Sequence, residues 1–158
     1  MTKYLKFAFA ALLPVAVFGA VPAGAQQGTC YGPQGQVRLT IDVQNVRSSQ
    51  GQIGVTVYAD DRRRFLARRG SLYVARGPAR AGTTRMCIYL PRPGTYGLAI
   101  YHDANANDRF DRNRVGLPAE GYGFSNNAPA VLGLPSFSAV RMPVPRTNME
   151  TSVRLKYP

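Results

Sequence analysis

The sequence predicts an all-β protein, an antiparallel β-sandwich of six to seven strands. Several short segments alternate apolar and polar residues with a period of two, and Gly-, Pro- and Asn-containing turns separate them. The chain shows no heptads, long helical patterns or internal repeats, so helix is expected to be a minor component. A jelly roll or a partly closed barrel fits the same pattern and remains the alternative architecture.

The N-terminal 25 residues have the three parts of a secretory signal peptide. A basic start precedes an apolar run over 7–21, and Ala23-Gly24-Ala25 is a small-x-small cleavage site. A membrane anchor is the alternative, but a spanning helix needs about 20 apolar residues, and Pro14 and small residues interrupt this run. We therefore expect an exported protein, periplasmic in a Gram-negative bacterium or extracellular. Its one β-sandwich domain would occupy 26–158, with no transmembrane segment after cleavage.

Charge and cysteine content refine this expectation. The formal net charge is +12, and loss of two lysines with the signal peptide leaves +10. Both cysteines, Cys30 and Cys87, lie after the cleavage site. An even number of cysteines in an exported domain favours one disulfide, Cys30 to Cys87, over two free thiols.

The first strands are expected at 36–46 and 52–59, because apolar residues occupy alternate positions in both segments. A turn at 48–51 separates them, and together they predict a β-hairpin. The next segment, 60–85, carries eight arginines. It predicts a short helical turn near 63–69, followed by a short strand.

The later strands are expected at 84–90, 95–101, 139–144 and 151–157. A Pro-Arg-Pro-Gly turn joins the first two of these, since Pro and Gly supply its backbone angles. The strand at 95–101 has apolar or small residues on both faces, which is typical of a central strand that is covered on both sides.

An acidic loop follows that central strand. Asp103, Asn105 and Asn107 alternate with small residues, and Asp111 stands at the ninth position counted from Asp103. Calcium takes six to eight oxygen ligands, and alternate residues of a tight loop can direct carboxylate and amide oxygens at one centre. The spacing therefore predicts a calcium site, with Glu120 brought near by the following coil.

The loop departs from the calcium loop of helix-loop-helix proteins. That template has Gly at position six and Glu at position twelve, whereas this chain has Asp108 and Arg114 there. The flanks are also a strand and a Gly/Pro-rich coil, so only a strand-end calcium loop of extracellular affinity, roughly 10⁻⁴–10⁻³ M, fits. The alternative is a loop rich in Asp and Asn because these side chains bond their own backbone in turns.

A longer signature resembles a known family. It combines His-Asp-x-Asn-x-Asn-x-x-x-Asp at 102–111, Gly-Leu-Pro-x-Glu-Gly-Tyr-Gly-Phe-Ser-Asn-Asn-Ala at 116–128 and Leu-Pro-Ser-Phe at 134–137. This signature is similar to that of the bacterial domain of unknown function 2141, whose members are exported, single-domain β-proteins without an established activity. The resemblance places the family's acidic loop at residues 103–111 of this chain. It also implies a difference at Asp108, where members commonly carry Gly, the residue that most easily adopts positive φ.

The arginines of 60–85 are a second candidate site. A charge run is usually a solvated face, but guanidinium groups also pair with phosphate and carboxylate in a bidentate manner. The alternative function is thus docking on anionic lipid or polysaccharide of the envelope, and export argues against nucleic acid as the partner. The candidate residues are Arg62, Arg63, Arg64, Arg68 and Arg69.

No residue set in the sequence specifies a reaction. His102 is the single histidine, and Ser125 has no base near it in sequence, whereas zinc sites and hydrolytic triads need several cooperating groups. We expect His102 to be a hydrogen-bonded structural residue. The sequence therefore favours a non-enzymatic binding or structural module over an enzyme and identifies no catalytic residue.

Overall fold

The structure, a computed structural model, describes residues 30–158; the predicted signal peptide lies outside these residues. Within residues 30–158, no helix is both long enough and apolar enough to cross a membrane. A 3-10 helix at Ser125–Asn127 and helix α1 at Phe137–Val140 are short. The strands are β1 (Val37–Val46), β2 (Gln52–Ala59), β3 (Tyr73–Pro78), β4 (Gly82–Leu90), β5 (Gly94–Asp103), β6 (Gly121–Phe124), β7 (Ala130–Val131), β8 (Leu134–Pro135), β9 (Met142–Val144) and β10 (Asn148–Arg154).

The strands form an all-β sandwich, as predicted. One sheet has the order β10-β1-β4, and the other has the order β3-β2-β5-β6 with β9 also paired to β5. Six strands have six or more residues, and the four short ones add to the edges or form the small β7–β8 hairpin. The backbones of Tyr122 and Lys156 exchange two hydrogen bonds, and this isolated β-bridge joins the two sheets at one edge.

The main core lies between the sheets and follows the sequence alternation. Every second residue of β1 from Val37 to Val43 is fully buried, and the same holds for Ile53, Val55 and Val57 of β2. Because successive side chains of a strand point to opposite faces, each strand contributes one apolar row, and the rows of the two sheets pack together.

The predicted β-hairpin of 36–59 is wrong, because β1 and β2 belong to different sheets. β1 pairs with β4 and β10, whereas β2 pairs with β3 and β5. Alternation determines which face of a strand is buried but not which strand lies beside it. The connection after β1 therefore crosses from one sheet to the other, and the apolar rows of β1 and β2 meet across the core.

Three further details differ from the sequence-based expectation. The β1–β10 pair is parallel, although the other strand pairs among the described residues are antiparallel. The segment 62–69 forms successive turns without a helix, since Leu66 and Arg69 have positive φ. The strand expected at 139–144 is divided between α1 and the three-residue β9.

Strand β5 is the centre of its sheet and is covered on both faces, as predicted. Its inner side chains, Leu98 among them, lie in the main core, while Ala99 faces a smaller apolar cluster on the outer face. That outer cluster contains Phe124 and Val140, with Phe65 of the arginine segment packed against it. The loops that carry the candidate sites thus cover the outer face of this sheet.

The predicted disulfide is confirmed. Cys30 and Cys87 are bonded, with their Cα atoms 4.5 Å apart and a sequence separation of 57. The backbone N–H of Tyr31 donates to the carbonyl of Cys87 at 2.8 Å. The bond therefore fastens the segment that precedes β1 to β4.

Candidate functional site

The acidic loop begins with Asp103, the last residue of β5, whose side chain is fully buried. One carboxylate oxygen accepts from the N–H of Asn107 at 3.0 Å, and the other accepts from the N–H of Asp108 and the amide of Gln52, both at 2.9 Å. Burial raises the pKa of Asp103, but these hydrogen bonds outweigh it and hold the pKa below its usual value. Asp103 is thus an ionised carboxylate that organises the loop from its base.

Asn105 and Asn107 converge on Asp111. The side-chain amide of each asparagine donates to Oδ2 of Asp111, both at 2.9 Å. Their amide oxygens meanwhile accept from backbone N–H groups two residues further on, which is the Asx turn that the alternation of Asn and small residues favours. Local hydrogen bonding therefore brings three of the predicted ligands to one point.

Glu120 closes this cluster from the next segment of the chain. Its Oε2 accepts from the backbone N–H of Asp111 at 3.0 Å, and the side chain is buried. Burial, together with the charges of Asp111 and Asp103, raises the pKa of Glu120 above its usual value, although hydrogen bonds from the backbone of Asp111 and Ala104 oppose the shift. The loop therefore holds a carboxylate whose ionisation is disfavoured.

Asp108 shows how the chain accommodates the residue that replaces the expected Gly. Its φ is 66°, so this position adopts the left-handed conformation for which Gly is best suited. Its Oδ1 lies 3.0 Å from Nε of Arg76 in an ion pair, and Nη2 of Arg76 donates to its carbonyl oxygen at 2.9 Å. The amide of Gln52 also donates to Oδ1, at 2.6 Å. Contacts with β2 and β3 thus hold Asp108 in its conformation.

The loop places its ligand candidates near one another without assembling a purely carboxylate site. Among residues 30–158, no three His, Cys, Asp or Glu side chains are grouped closely enough to hold a metal ion. A cation at this loop would therefore depend on amide and backbone carbonyl oxygens in addition to carboxylates, which are ligands that calcium accepts.

His102 precedes the loop and is part of the framework. It is buried, and Nε2 lies 2.8 Å from the carbonyl oxygen of Gln50, while Nδ1 lies 2.8 Å from the hydroxyl of Tyr157. A carbonyl oxygen only accepts, so Nε2 carries a proton and donates to Gln50. Both ring nitrogens are thus occupied, in agreement with the expected structural role.

Sequence analysis missed the framework roles of Gln52 and Ser125. Gln52 stands at the start of β2 and bonds both Asp103 and Asp108. Ser125 is fully buried; its hydroxyl accepts from Leu98 N–H at 3.0 Å and donates to the carbonyl of Val140 at 2.5 Å. No local pattern marks these residues, because their partners are distant in sequence.

Aromatic side chains connect the loop to the outer face of the sheet. Phe110 of the loop contacts Tyr101 of β5 and Tyr122 of β6 edge to face, with ring centroids 5.8 and 6.1 Å apart. Tyr122 in turn contacts Phe124. These rings line a cavity of about 170 Å³ together with Arg112, whose guanidinium lies 5.2 Å from the centroid of Phe110. They mainly pin the loop to the sheet, because Tyr101 and Phe124 are buried.

The arginine candidates lie on an exposed turn segment. Residues 62–64 and 68–69 are all exposed, and none of their side chains forms an ion pair with a carboxylate in the described part of the chain. Asp61 instead accepts from the backbone N–H of Arg63 at 2.8 Å, and Asp60 pairs with Arg141. Asp60 and Asp61 therefore form no ion pair with these arginine side chains, and the positive charge of the segment faces solvent.

Comparison with protein families identifies the family of this chain. The model of domain of unknown function 2141, described as an uncharacterized protein conserved in bacteria, matches residues 41–152. The chain belongs to this family. The match includes β2 to β9, the acidic loop with Glu120, and the arginine segment. A search of curated proteins found no match, and a search of solved structures also found none. Membership in this family assigns no activity.

Proposed function

We propose that this member of the family is an exported, non-enzymatic binding or structural module of the cell envelope whose acidic loop is held by calcium. The supporting observation is the convergence of the Asn105 and Asn107 amides on Asp111, beside the buried Glu120. Export rests on the N-terminal sequence, and the Cys30–Cys87 disulfide is compatible with an oxidising compartment.

The electrostatics of the loop favour a cation. Two amide N–H donors point at one oxygen of Asp111 and partly compensate its charge. Glu120 has a raised pKa because the site buries it beside Asp111 and Asp103. A calcium ion would supply the missing positive charge. Coordination by Asn105 and Asn107 would require their amide groups to turn and to exchange their hydrogen bonds to Asp111 and to backbone N–H groups for bonds to the ion. The ligands would be Asp103, Asn105, Asn107, Asp111 and Glu120, with backbone carbonyl oxygens.

A non-enzymatic role is consistent with the engagement of the two candidate reactive groups. His102 has both ring nitrogens in hydrogen bonds, and the hydroxyl of Ser125 is buried between two backbone groups. Each therefore has a structural role at its position. The loop then acts as a rigid surface element and not as a reaction centre.

Thermal unfolding with calcium or with chelator tests the calcium proposal. Calcium at about 1 mM over a Kd of about 10⁻⁴ M stabilises the native state by about 1.4 kcal/mol, which raises Tm by roughly 3–5 °C in a domain of this size. Glu120→Gln should remove this rise, because it deletes a charged ligand but keeps an oxygen that accepts from Asp111 N–H.

Glu150→Gln is the matched control. It removes the same charge from an exposed position on β10, outside the loop, and should keep the full response to calcium. An equal Tm of the parent protein in calcium and in chelator would overturn the calcium proposal, and so would a full response of Glu120→Gln.

The exposed arginine segment favours a second function, docking on anionic envelope polymers or lipids. Arg62, Arg63 and Arg64 are adjacent, exposed and unpaired with carboxylates among residues 30–158. Arginine matches phosphate and carboxylate groups in a bidentate way. The attraction is screened by salt, since the Debye length falls from about 10 Å at 0.1 M to about 3 Å at 1 M.

Co-sedimentation with anionic vesicles, and retention on a sulfated polysaccharide matrix, test this second function. Replacing Arg62, Arg63 and Arg64 by Ser should abolish binding at low salt. The control is a triple Ser variant of Arg92, Arg109 and Arg146, which removes the same charge from other exposed positions. Equal losses in both variants would indicate a response to net charge alone and would overturn a docking role for this segment.

A further inference from the structure

The β7–β8 hairpin exposes three large apolar side chains. Val131 is 77 % exposed, Leu132 69 % and Leu134 59 %. Val131 is the register partner of Leu134, so both side chains lie on the same face of the hairpin. Apolar side chains grouped at one exposed tip are characteristic of an interaction surface.

The turn of this hairpin uses an unfavourable residue. Its two central residues, Leu132 and Gly133, have φ of 51° and 80°. A two-residue turn with positive φ at both positions favours Asn followed by Gly. Leucine is disfavoured in this backbone region, and here its side chain also remains in solvent. Leu132 therefore combines a disfavoured backbone conformation with an apolar side chain that is 69 % exposed among residues 30–158, which points to a contact made outside the protein.

The hairpin lies beside the arginine segment. Leu134 and Leu66 line the same surface depression, together with Arg62 and with Arg141 in its ion pair with Asp60. Gly133 and Leu66 also both line the smaller aromatic cavity. Leu66 is itself exposed, in the middle of the arginine segment. An apolar tip is therefore flanked by guanidinium groups, and the two features form one surface.

We propose that this surface docks on an anionic lipid bilayer, with Val131, Leu132 and Leu134 inserted at the headgroup boundary and the arginines of 62–69 paired with lipid phosphates. The inference rests on the second proposed function, docking on envelope polyanions, and selects its partner. Apolar side chains and flanking cations together are the features of interfacial membrane binding. A polysaccharide would satisfy the arginines but offers no hydrocarbon for the hairpin tip.

A hairpin variant separates insertion from charge attraction. Val131→Ser, Leu132→Asn and Leu134→Ser together remove the apolar tip, and Leu132→Asn also creates the preferred Asn-Gly turn. We expect binding to mixed phosphatidylcholine and phosphatidylglycerol vesicles to weaken about tenfold or more, with no fall in Tm. Retention on a sulfated polysaccharide should stay unchanged, because the arginines remain.

The absence of tryptophan from the chain allows a direct measurement of insertion. Leu132→Trp introduces a single tryptophan at the tip, and its emission should shift to the blue and be quenched by brominated lipids when vesicles are added. Thr83→Trp, an exposed position on β4 of the opposite sheet, should show neither effect.

Each result distinguishes the possibilities. Unchanged vesicle binding of the hairpin variant, with no spectral change at position 132, would overturn insertion and leave docking by charge. Retention of the parent protein on polysaccharide without vesicle binding would also overturn the lipid proposal. Failure to bind either surface at low salt would overturn the second proposed function and the insertion with it.

Discussion

Replacement of Ser125 by alanine should destabilise the protein strongly, although the change removes one oxygen atom. The hydroxyl of Ser125 joins two backbone groups of neighbouring elements, the N–H of Leu98 in β5 and the carbonyl of Val140 at the end of α1. Ser125 is completely buried, so water cannot take its place. The variant therefore leaves a donor and an acceptor without partners in the interior.

The expected magnitude follows from these two contacts. An unsatisfied buried polar group costs about 1–3 kcal/mol, so two of them give about 2–6 kcal/mol. A domain of this size loses roughly 2–4 °C of Tm for each kcal/mol, so the fall in Tm should be at least about 4 °C. Urea denaturation should show a lower midpoint with an unchanged m-value, because the surface that unfolding exposes is the same.

Ser152→Ala is the matched control for this experiment. Ser152 is exposed on β10, and its hydroxyl makes no hydrogen bond among the described residues. The control should stay within about 0.5 kcal/mol of the parent protein. Equal stability of Ser125→Ala and Ser152→Ala would refute the role of Ser125 as a bridge between β5 and the segment that covers it.

Three further predictions concern the covalent and electrostatic supports of the fold. Replacing Cys30 and Cys87 by Ser should lower the free energy of unfolding, measured by urea denaturation, by about 4 kcal/mol, because the disulfide closes a long loop. Alkylation of both thiols in unreduced periplasmic protein would show that the disulfide does not form. Asp103→Asn should destabilise by about 2–4 kcal/mol at neutral pH. The lowered pKa of Asp103 means that its ionised form stabilises the folded state above about pH 4, and that this stability is lost as pH falls through the folded-state pKa. The difference in unfolding free energy between the parent protein and Asp103→Asn should therefore become smaller in acid. A difference that stays constant with pH would exclude a contribution from the charge. In the presence of chelator, Glu120→Gln should raise Tm at neutral pH. The raised pKa of Glu120 means that its ionised form destabilises the folded state, and glutamine removes that charge. The gain should disappear below about pH 4, and a lower Tm at neutral pH would show that the carboxylate stabilises the loop.

The sequence could predict the features that depend on near neighbours in the chain. Period-two alternation identified the buried faces of β1, β2 and β5, because a strand directs successive side chains to opposite faces. The even cysteine count predicted the disulfide, and the spacing of Asp and Asn in the acidic loop predicted that Asn105, Asn107 and Asp111 come together; calcium binding by this loop stays a prediction. The strand and loop predictions concern residues whose geometry is set by local backbone structure. The disulfide was predictable because only two cysteines are present to pair.

Only the tertiary structure decided which distant segments meet. β1 lies beside β10, about a hundred residues later, and not beside β2. Several strands share the same alternation of apolar residues, so the alternation alone does not determine which of them pairs with β1. The same holds for Gln52 beneath the acidic loop, Ser125 between two covering elements, and the β7–β8 hairpin beside the arginine segment. In each case the contact is stabilised by burial and hydrogen bonds between distant parts of the chain, and the local sequence does not indicate which residue is the partner.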